Sequence, residues 1–232
     1  MTERLSYRRD DTIAVITLDD GKVNALGPDM LADINSALDK AEGDDAGAVV
    51  IAGNDRVFSG GFDLKVFRSG DVQASIAMLS AGFELSHRLL SFPKPVVTAV
   101  TGPAIAMGSF LVCSTDHRIA GPTYTFQANE VAIGMVLPYP ALEVMKLRLT
   151  RSAYQQAVGL SKVFLGETAL AGGWIDEIAM PEVVLERACE AANDFATTLH
   201  AKAHYACKMR ARQEALDAIR AGIDNIGQEF GL

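Results

Sequence analysis

Two glycine-bearing turns offer bare backbone where a side chain would otherwise stand. In Val57-Phe58-Ser59-Gly60-Gly61-Phe62-Asp63-Leu64-Lys65 a buried strand ends on a glycine pair. Lacking Cβ atoms, Gly60 and Gly61 can take positive φ and leave successive N–H groups facing a cavity instead of a strand ladder. The alternative is an ordinary strand-ending turn. The segment Lys94 to Thr115, KPVVTAVTGPAIAMGSFLVCST, again runs from a strand through a small-residue turn into a helix. Glu130 stands alone in Gln127-Ala128-Asn129-Glu130-Val131-Ala132-Ile133-Gly134. Desolvation among such neighbours disfavours a carboxylate's charged form and moves it toward the pH where it both takes and returns a proton. A solvated loop glutamate is the alternative. Glu143 forms an i,i+3 pair with Lys146 on a helix whose buried stripe is Leu142, Met145 and Leu149. It reads first as a solvated charge and second as a carboxylate turned into a site.

Other chemistries recede. Neither Ser59 nor Ser109 lies in GxSxG, and no His-Asp partner accompanies them. The four histidines include no HExxH; His200 and His204 are four apart on a helical stretch without a third ligand nearby. Cys113, Cys189 and Cys207 are scattered, giving neither a disulfide framework nor a metal site, so no metal is expected. The net charge of −8 and the lack of a Lys/Arg block argue against nucleic acid as a partner. No apolar run approaches the roughly 18 residues of a membrane span, and MTERLSYRRDD lacks the apolar core of a secretory signal. The expectation is a cytoplasmic protein with no membrane partner and reduced thiols.

The elements that must position these residues follow from periodicity. Ile13–Leu18, 46–52 and Val96–Val100 are nearly continuous apolar runs, expected of strands covered on both faces. Between them, Pro28 opens a helix that buries Leu31, Ile34, Leu38 and Ala41, and residues 71–90 form a longer helix with Ile76, Leu79, Phe83 and Leu90 on one side. Ser109 to Ser114 is a short buried helix, 118–120 and 124–126 are short strands, and 175–179 is a last one. Residues 183–199, and a tail with Ile219, Ile223, Ile226 and Phe230 in register, are amphipathic helices. Alternating strands and helices make the class α/β.

Taken together, Phe58-Ser59-Gly60-Gly61-Phe62-Asp63-Leu64, Lys94-Pro95-Val96-Val97-Thr98-Ala99-Val100-Thr101-Gly102 and Asp116-His117-Arg118-Ile119-Ala120 resemble the enoyl-CoA hydratase/isomerase (crotonase) family. Similarity extends from Asn24-Ala25-Leu26 to Ala171-Gly172-Gly173-Trp174-Ile175-Asp176-Glu177. The resemblance implies a spiral of strand-strand-helix turns over 1–180. It gives 181–232 as a helical region for cover or trimerisation, with assembly as a homotrimer or a dimer of trimers. It implies a fatty acyl-CoA substrate and no separate cofactor, coenzyme A arriving as part of the substrate. It does not fix the reaction, because one scaffold hosts many.

What the family shares is stabilisation of a thioester enolate in an oxyanion hole of two backbone N–H groups, which match Phe62 and Met107. The helix that follows would add its positive end. Coenzyme A is implied along the first loop and the glycine turn, at Lys22, Asn24, Gly61, Asp63, Leu64 and Lys65. Lys22 and Lys65 read equally as surface charges, and Asp63 and Asp116 as turn and helix-end residues. Phe67, Phe110 and Met135, with the segment to Tyr139, would line the acyl end. Hydratases of the family hold water between two glutamates; the first position is Phe110 here and the second matches Glu130. A phenyl ring neither orients water nor gives up a proton. The resemblance therefore points to a 3-enoyl-CoA to 2-enoyl-CoA isomerase with Glu130 as its single acid/base. The alternatives are a hydratase or related lyase using Glu143 as second carboxylate, and an acyl-CoA-binding relative that has lost its chemistry.

Overall fold

The computed structural model describes residues 4–229. Its first half runs β1 (Leu5–Asp10), β2 (Ile13–Leu18), α1 (Pro28–Gly43), β3 (Ala48–Ala52), α2 (Leu64–Arg68), α3 (Val72–Leu90), β4 (Val96–Val100), β5 (Ala104–Ile105), α4 (Met107–Cys113), β6 (His117–Ala120) and β7 (Thr125–Gln127). The rest is α5 (Tyr139–Arg148), α6 (Arg151–Leu160), β8 (Phe164–Leu165), α7 (Gly166–Gly172), β9 (Glu177–Ile178), α8 (Val184–Thr198), α9 (Ala201–Asp224) and α10 (Ile226–Glu229). The main sheet has the order β1-β2-β3-β4-β6-β9. It is parallel except at β1, which pairs antiparallel with β2. A smaller sheet, β5-β7-β8, carries the second turn.

The strands β3 and β4 are buried at every residue because helices cover both faces of the sheet. On one face Leu31, Ile34, Leu38, Leu79, Phe83 and Leu90 of α1 and α3 join the large core. On the other, Val184, Ala188 and Ala192 of α8 pack against Ile13, Val15, Val50, Val97 and Ile119. Small residues let α8 lie close: a Cβ on Gly47 would come within 2.8 Å of the Ala196 side chain. The segment beyond 180 thus supplies a whole layer of the core.

Differences from the sequence reading are local. β1 was not expected; only Leu5 and Tyr7 are half-buried there, so its alternation is short and its outer face polar. The strand expected over 46–52 begins at Ala48, and that over 175–179 is confined to Glu177–Ile178, because Trp174 and Ile175 turn into the core. The strand expected over 124–126 is Thr125–Gln127. α4 starts at Met107 and not Ser109, since Ala106 at φ 49, ψ −124 swings the chain into the helix two residues earlier. Phe230 lies outside the described residues.

Two ion-pair junctions tie distant segments. Arg118 donates to both carboxylate oxygens of Asp176 at 2.8 Å, joining β6 to the segment before β9. Asp116 accepts from Lys208 Nζ at 2.7 Å, Arg212 Nη2 at 2.8 Å and the Val96 N–H at 2.8 Å, while Lys208 and Arg212 also donate to the Phe92 and Leu90 carbonyls. This carboxylate fastens α9 to the end of α3 and the start of β4. Burial alone would raise the Asp116 carboxyl, but Lys208 and Arg212 hold it below its ordinary value.

Replacing Asp116 by Ala would leave two buried cations unpaired, and a loss of about 3–5 kcal/mol is expected as a lower urea midpoint. Acid acts with the same sign. The contribution of Asp116 is present above its unfolded value of about 4 and drains away as pH falls through the lower folded one. Ala106→Gly should act in reverse. Left-handed backbone at a non-glycine residue costs about 1–3 kcal/mol, and glycine gives back about 0.4–1 kcal/mol through the unfolded chain. A rise of about 2–4 °C in Tm is expected; an unchanged or lower Tm would show that Ala106 is not strained.

Candidate functional site

The first loop, the glycine turn and the second turn are laced together through backbone. Ser59 Oγ donates to the Asn24 carbonyl at 2.8 Å and accepts the Gly61 N–H at 3.1 Å. Gly60 N–H donates to the Val23 carbonyl, and Gly61 accepts from Leu26 N–H, both at 2.8 Å. The Phe58 N–H donates to Pro103 and the Ile105 N–H to Ser59, each at 3.0 Å. The Ala106 N–H is taken by Gln127 at 2.8 Å.

Of the glycine pair, only Gly61 takes positive φ, at 90°. Because Gly60 and Gly61 spend their N–H groups internally, the expected pair of free glycine donors is not present. The Phe62 N–H has no protein acceptor among the described residues. The Met107 N–H, first in its helix, has no intrahelical acceptor either. The two turns meet closely: a Cβ on Gly61 would lie 2.9 Å from the Ile105 carbonyl and 3.5 Å from Met107 N. Glycine is required there for conformation and for space. Gly82 plays the matching part on α3, where a Cβ would strike the Phe62 ring at 2.5 Å.

A cavity of about 180 Å³ opens at this junction, lined at its polar end by Gly60, Phe62, Ala106, Asn129 and Glu130. Phe67, Phe110 and Met135 line it as well, joined by Leu79 and Phe83. Phe83 and Phe110 are fully buried with rings stacked 6.3 Å apart, and Phe62 meets Phe67 and Phe83 edge-on at 6.2 Å. Into this apolar enclosure comes Glu130, 8% exposed, with Oε2 buried and unpartnered. It is the sole titratable side chain among the described lining residues. Burial pushes its carboxyl up to about 7, opposed only by its own backbone N–H.

Glu130 is held by its loop. The Met135 N–H returns to the Glu130 carbonyl at 2.8 Å across Gly134, which is left-handed at φ 79. Ser161 clamps the outside: its Oγ accepts the Ala132 N–H at 3.1 Å and its carbonyl accepts the Gln127 amide at 2.8 Å.

Several residues stand elsewhere than the resemblance implied. Asn24, fully buried at φ 50, donates to the Leu18 and Phe58 carbonyls at 3.0 and 3.1 Å and accepts the Asp20 N–H. Its side chain is consumed in bracing the first loop and presents nothing to a ligand. Asp63 caps α2, accepting the Lys65 N–H at 2.9 Å. Glu143 bonds Lys146 through both oxygens at 3.2 Å and lines a different groove, against Ala218, Gly222 and Asn225. It is not a second carboxylate of the Glu130 cavity, because α5 turns it toward α9. Lys22 and Lys65 are exposed and have no ion-pair partner among the described residues; Leu64 is half exposed at the cavity rim. The sequence reading placed Leu79 and Phe83 in the core stripe but not in the cavity wall, and it missed Ala106 and Ser161. Only a non-glycine in a turn that crowds glycines hinted at Ala106.

Comparison with known proteins agrees with this architecture. The family model for enoyl-CoA hydratase/isomerase matches residues 8–226. A probable enoyl-CoA hydratase of Bacillus subtilis (strain 168) is 30% identical over 197 residues, 83% of this chain and 76% of that one. The crystal structure of the probable enoyl-CoA hydratase EchA3 of Mycobacterium tuberculosis H37Rv superposes with a TM-score of 0.97 at 66% identity, covering 99% and 97% of the two chains. A structure described as the M. tuberculosis enoyl-CoA isomerase gives 0.96 at 64% identity, covering 99% and 100%. With the spiral fold, the laced turns and a match over nearly its whole length, the chain belongs to the enoyl-CoA hydratase/isomerase family, the crotonases.

Proposed function

We propose that the protein is a 3-enoyl-CoA to 2-enoyl-CoA double-bond isomerase in which Glu130 is the single acid and base. The observation that carries this reading is the unpartnered, desolvated carboxyl of Glu130 facing an aromatic wall at Phe110, where a hydratase of the family would need its other glutamate. The names given to the M. tuberculosis relative do not decide it, since one of its structures is described as a probable hydratase and another as an isomerase.

In the proposed reaction the thioester oxygen sits against the Phe62 and Met107 N–H groups. Glu130 removes a proton from C2, negative charge moves onto the oxygen, and the same carboxyl returns the proton to C4 as the double bond shifts to C2–C3. No atom is gained or lost. Each backbone donor of such a hole lowers the barrier by roughly 3–4 kcal/mol where one has been removed from other enzymes. A carboxyl near neutral pKa suits both halves of the transfer. Phe83 and Phe110 offer only ring carbon to the cavity, whose polar side chains among the described lining residues are the adjacent Asn129 and Glu130. Coenzyme A would cross the rim at Leu64, and Lys22 and Lys65 are available to its phosphates.

We also infer that the chain works as the trimer, or dimer of trimers, of its family. Val131, Ile133 and Val136 flank Glu130 while exposed, Val136 by 80%, and Leu160, the last residue of α6, is 73% exposed. Such apolar surface around a desolvated acid supports cover by a second copy. Light scattering should give about three or six times the 24.8 kDa chain mass; a monomer at working concentration would remove this inference.

Glu130→Gln should lower isomerisation of a 3-enoyl-CoA by about 10²–10⁴-fold, with the wild type turning over the 3-enoyl thioester in preference to adding water to the 2-enoyl one. Wild-type kcat/KM should rise with pH up to about 7 and level off, because the base must begin unprotonated. Stability should move oppositely. A carboxyl with a raised folded value supplies stability that is lost as pH climbs through about 7, so Glu130→Gln should be more stable by up to about 3 kcal/mol at pH 8 and equal at pH 4. Wild-type turnover in the variant, or efficient hydration with no isomerisation, would sink the assignment.

A further inference from the structure

Glu130 heads the 3-10 turn Val131–Ile133, at the position whose side chain ordinarily caps a helical turn by accepting the N–H of its second or third residue. Its carboxyl makes no such bond. The second N–H, that of Ala132, goes instead to Ser161 Oγ at 3.1 Å and has no other acceptor among the described residues. The third, that of Ile133, is taken by the Asn129 and Glu130 carbonyls. The cap of this turn has thus passed from the acid to a hydroxyl on another element.

Ser161 is set for this from two sides. It ends α6 in the left-handed region at φ 46, ψ 36, and its carbonyl accepts Gln127 Nε2 at 2.8 Å. The main chain of Gln127 belongs to the second turn: its carbonyl accepts the Ala106 N–H at 2.8 Å, and its N–H donates to Ser109 Oγ at 3.2 Å. A line of bonds therefore runs from the residue before Met107, through Gln127 and Ser161, to the turn that carries Glu130. Across the cavity the glycine turn, α2, α3 and α4 bring Phe62, Phe67, Phe83, Ala106 and Phe110 toward Glu130, and no charged side chain among the described residues. The loop is left to aim the carboxyl.

We propose that Ser161, placed by Gln127, is a positioning residue for Glu130: by capping the turn in the acid's stead it keeps the carboxyl from folding back onto its own loop and holds it toward the second turn. The proposal rests on the reading that Glu130 is the acid and base of this site.

Ser161→Gly removes the hydroxyl and keeps the left-handed backbone without strain, Ser161→Ala removes the same atom and keeps the Cβ, and Gln127→Met removes the amide. Glu130 is followed without substrate, through the urea midpoint that Glu130→Gln gains over its parent between pH 4 and pH 8. The raised carboxyl withdraws stability as pH climbs through about 7, so a carboxyl released onto the Ala132 N–H or into water titrates lower, and the gain shrinks. A reduction by about a third or more is expected in both Ser161 variants, equivalent to about one pH unit. With a 3-enoyl-CoA, kcat should fall about 10–10²-fold and the acid limb of kcat/KM move to lower pH, while KM changes by less than about threefold. Gln127→Met combined with Ser161→Gly should lose less than the product of the two single losses, since both act on one unit. A cap that only stabilises the fold would lower the midpoint at every pH and leave both the gain and the acid limb in place. That result, or single losses that multiply in full, would overturn the proposal. A shrunken gain in a chain that does not turn over 3-enoyl-CoA would uphold the placing of Glu130 while removing the isomerase reading.

Discussion

A carboxyl kept dry without a counter-charge is the constraint on which the rest of this molecule depends. Glu130 Oε2 has no donor among the described residues, and beside Gly60 and Asn129 the walls around it are phenyl rings and aliphatic chains. Left to itself, such a group would turn out to water, since burying a charge without a partner is strongly unfavourable. The loop prevents this in two ways. It closes on itself through the Met135 N–H, and it is gripped by Ser161, which meets Ala132 and Gln127 on either side of the acid. Ser161 itself sits in the left-handed region at φ 46 to end α6 and make that grip. Strain is therefore accepted in one place to keep an unfavourable charge in another, as is common where geometry serves chemistry.

The facing side of the cavity is built on the opposite principle. There, the three loops are tied to one another through backbone groups, and the Phe62 and Met107 N–H groups are among those with no protein acceptor among the described residues. Donors fixed in advance do not have to reorganise when charge appears in front of them, which is the source of their value in a proposed enolate-forming reaction. Asn24 matters here, although it touches no ligand: its amide ties the end of β2 to the glycine turn. A residue implied for binding thus holds the frame in which binding takes place.

Much of this was legible in the residues, unevenly and for physical reasons. The strands Ile13–Leu18 and Val96–Val100 and the Pro28 helix start were readable because burial on both faces and proline geometry write themselves into adjacent residues. The burial of Glu130 was expected from Val131, Ala132 and Ile133, but these are exposed, and the enclosure comes from Phe67, Phe83 and Phe110, far away in sequence. What escaped were features set by long-range pairing. The junction of Asp116 with Lys208 and Arg212 spans some ninety residues, and neither its spacing nor its residue types distinguish it from surface charge. The two glycine N–H groups were misjudged because sequence shows that they are unhindered but not that Ser59 and Val23 lie in wait for them. Glu143 stayed ambiguous because its helix has charge on one face and packing on the other, and only the position of α9 decides which groove it enters.

The short helix α4 joins the wall of the cavity to the core. Met107 stands at its start, next to Ala106 of the cavity wall, and Phe110, one turn on, stacks on Phe83 of α3. Its end runs into Asp116, the anchor for α9. A glutamate at position 110 would bring back the second acid of a hydratase. It would also put a carboxyl against Phe83 and within reach of the field of Glu130, so that two like charges would share one dry space and each would raise the other's affinity for a proton. The ring removes that conflict. It leaves Glu130 as the sole titratable side chain among the described lining residues, which is what the proposed one-base transfer requires.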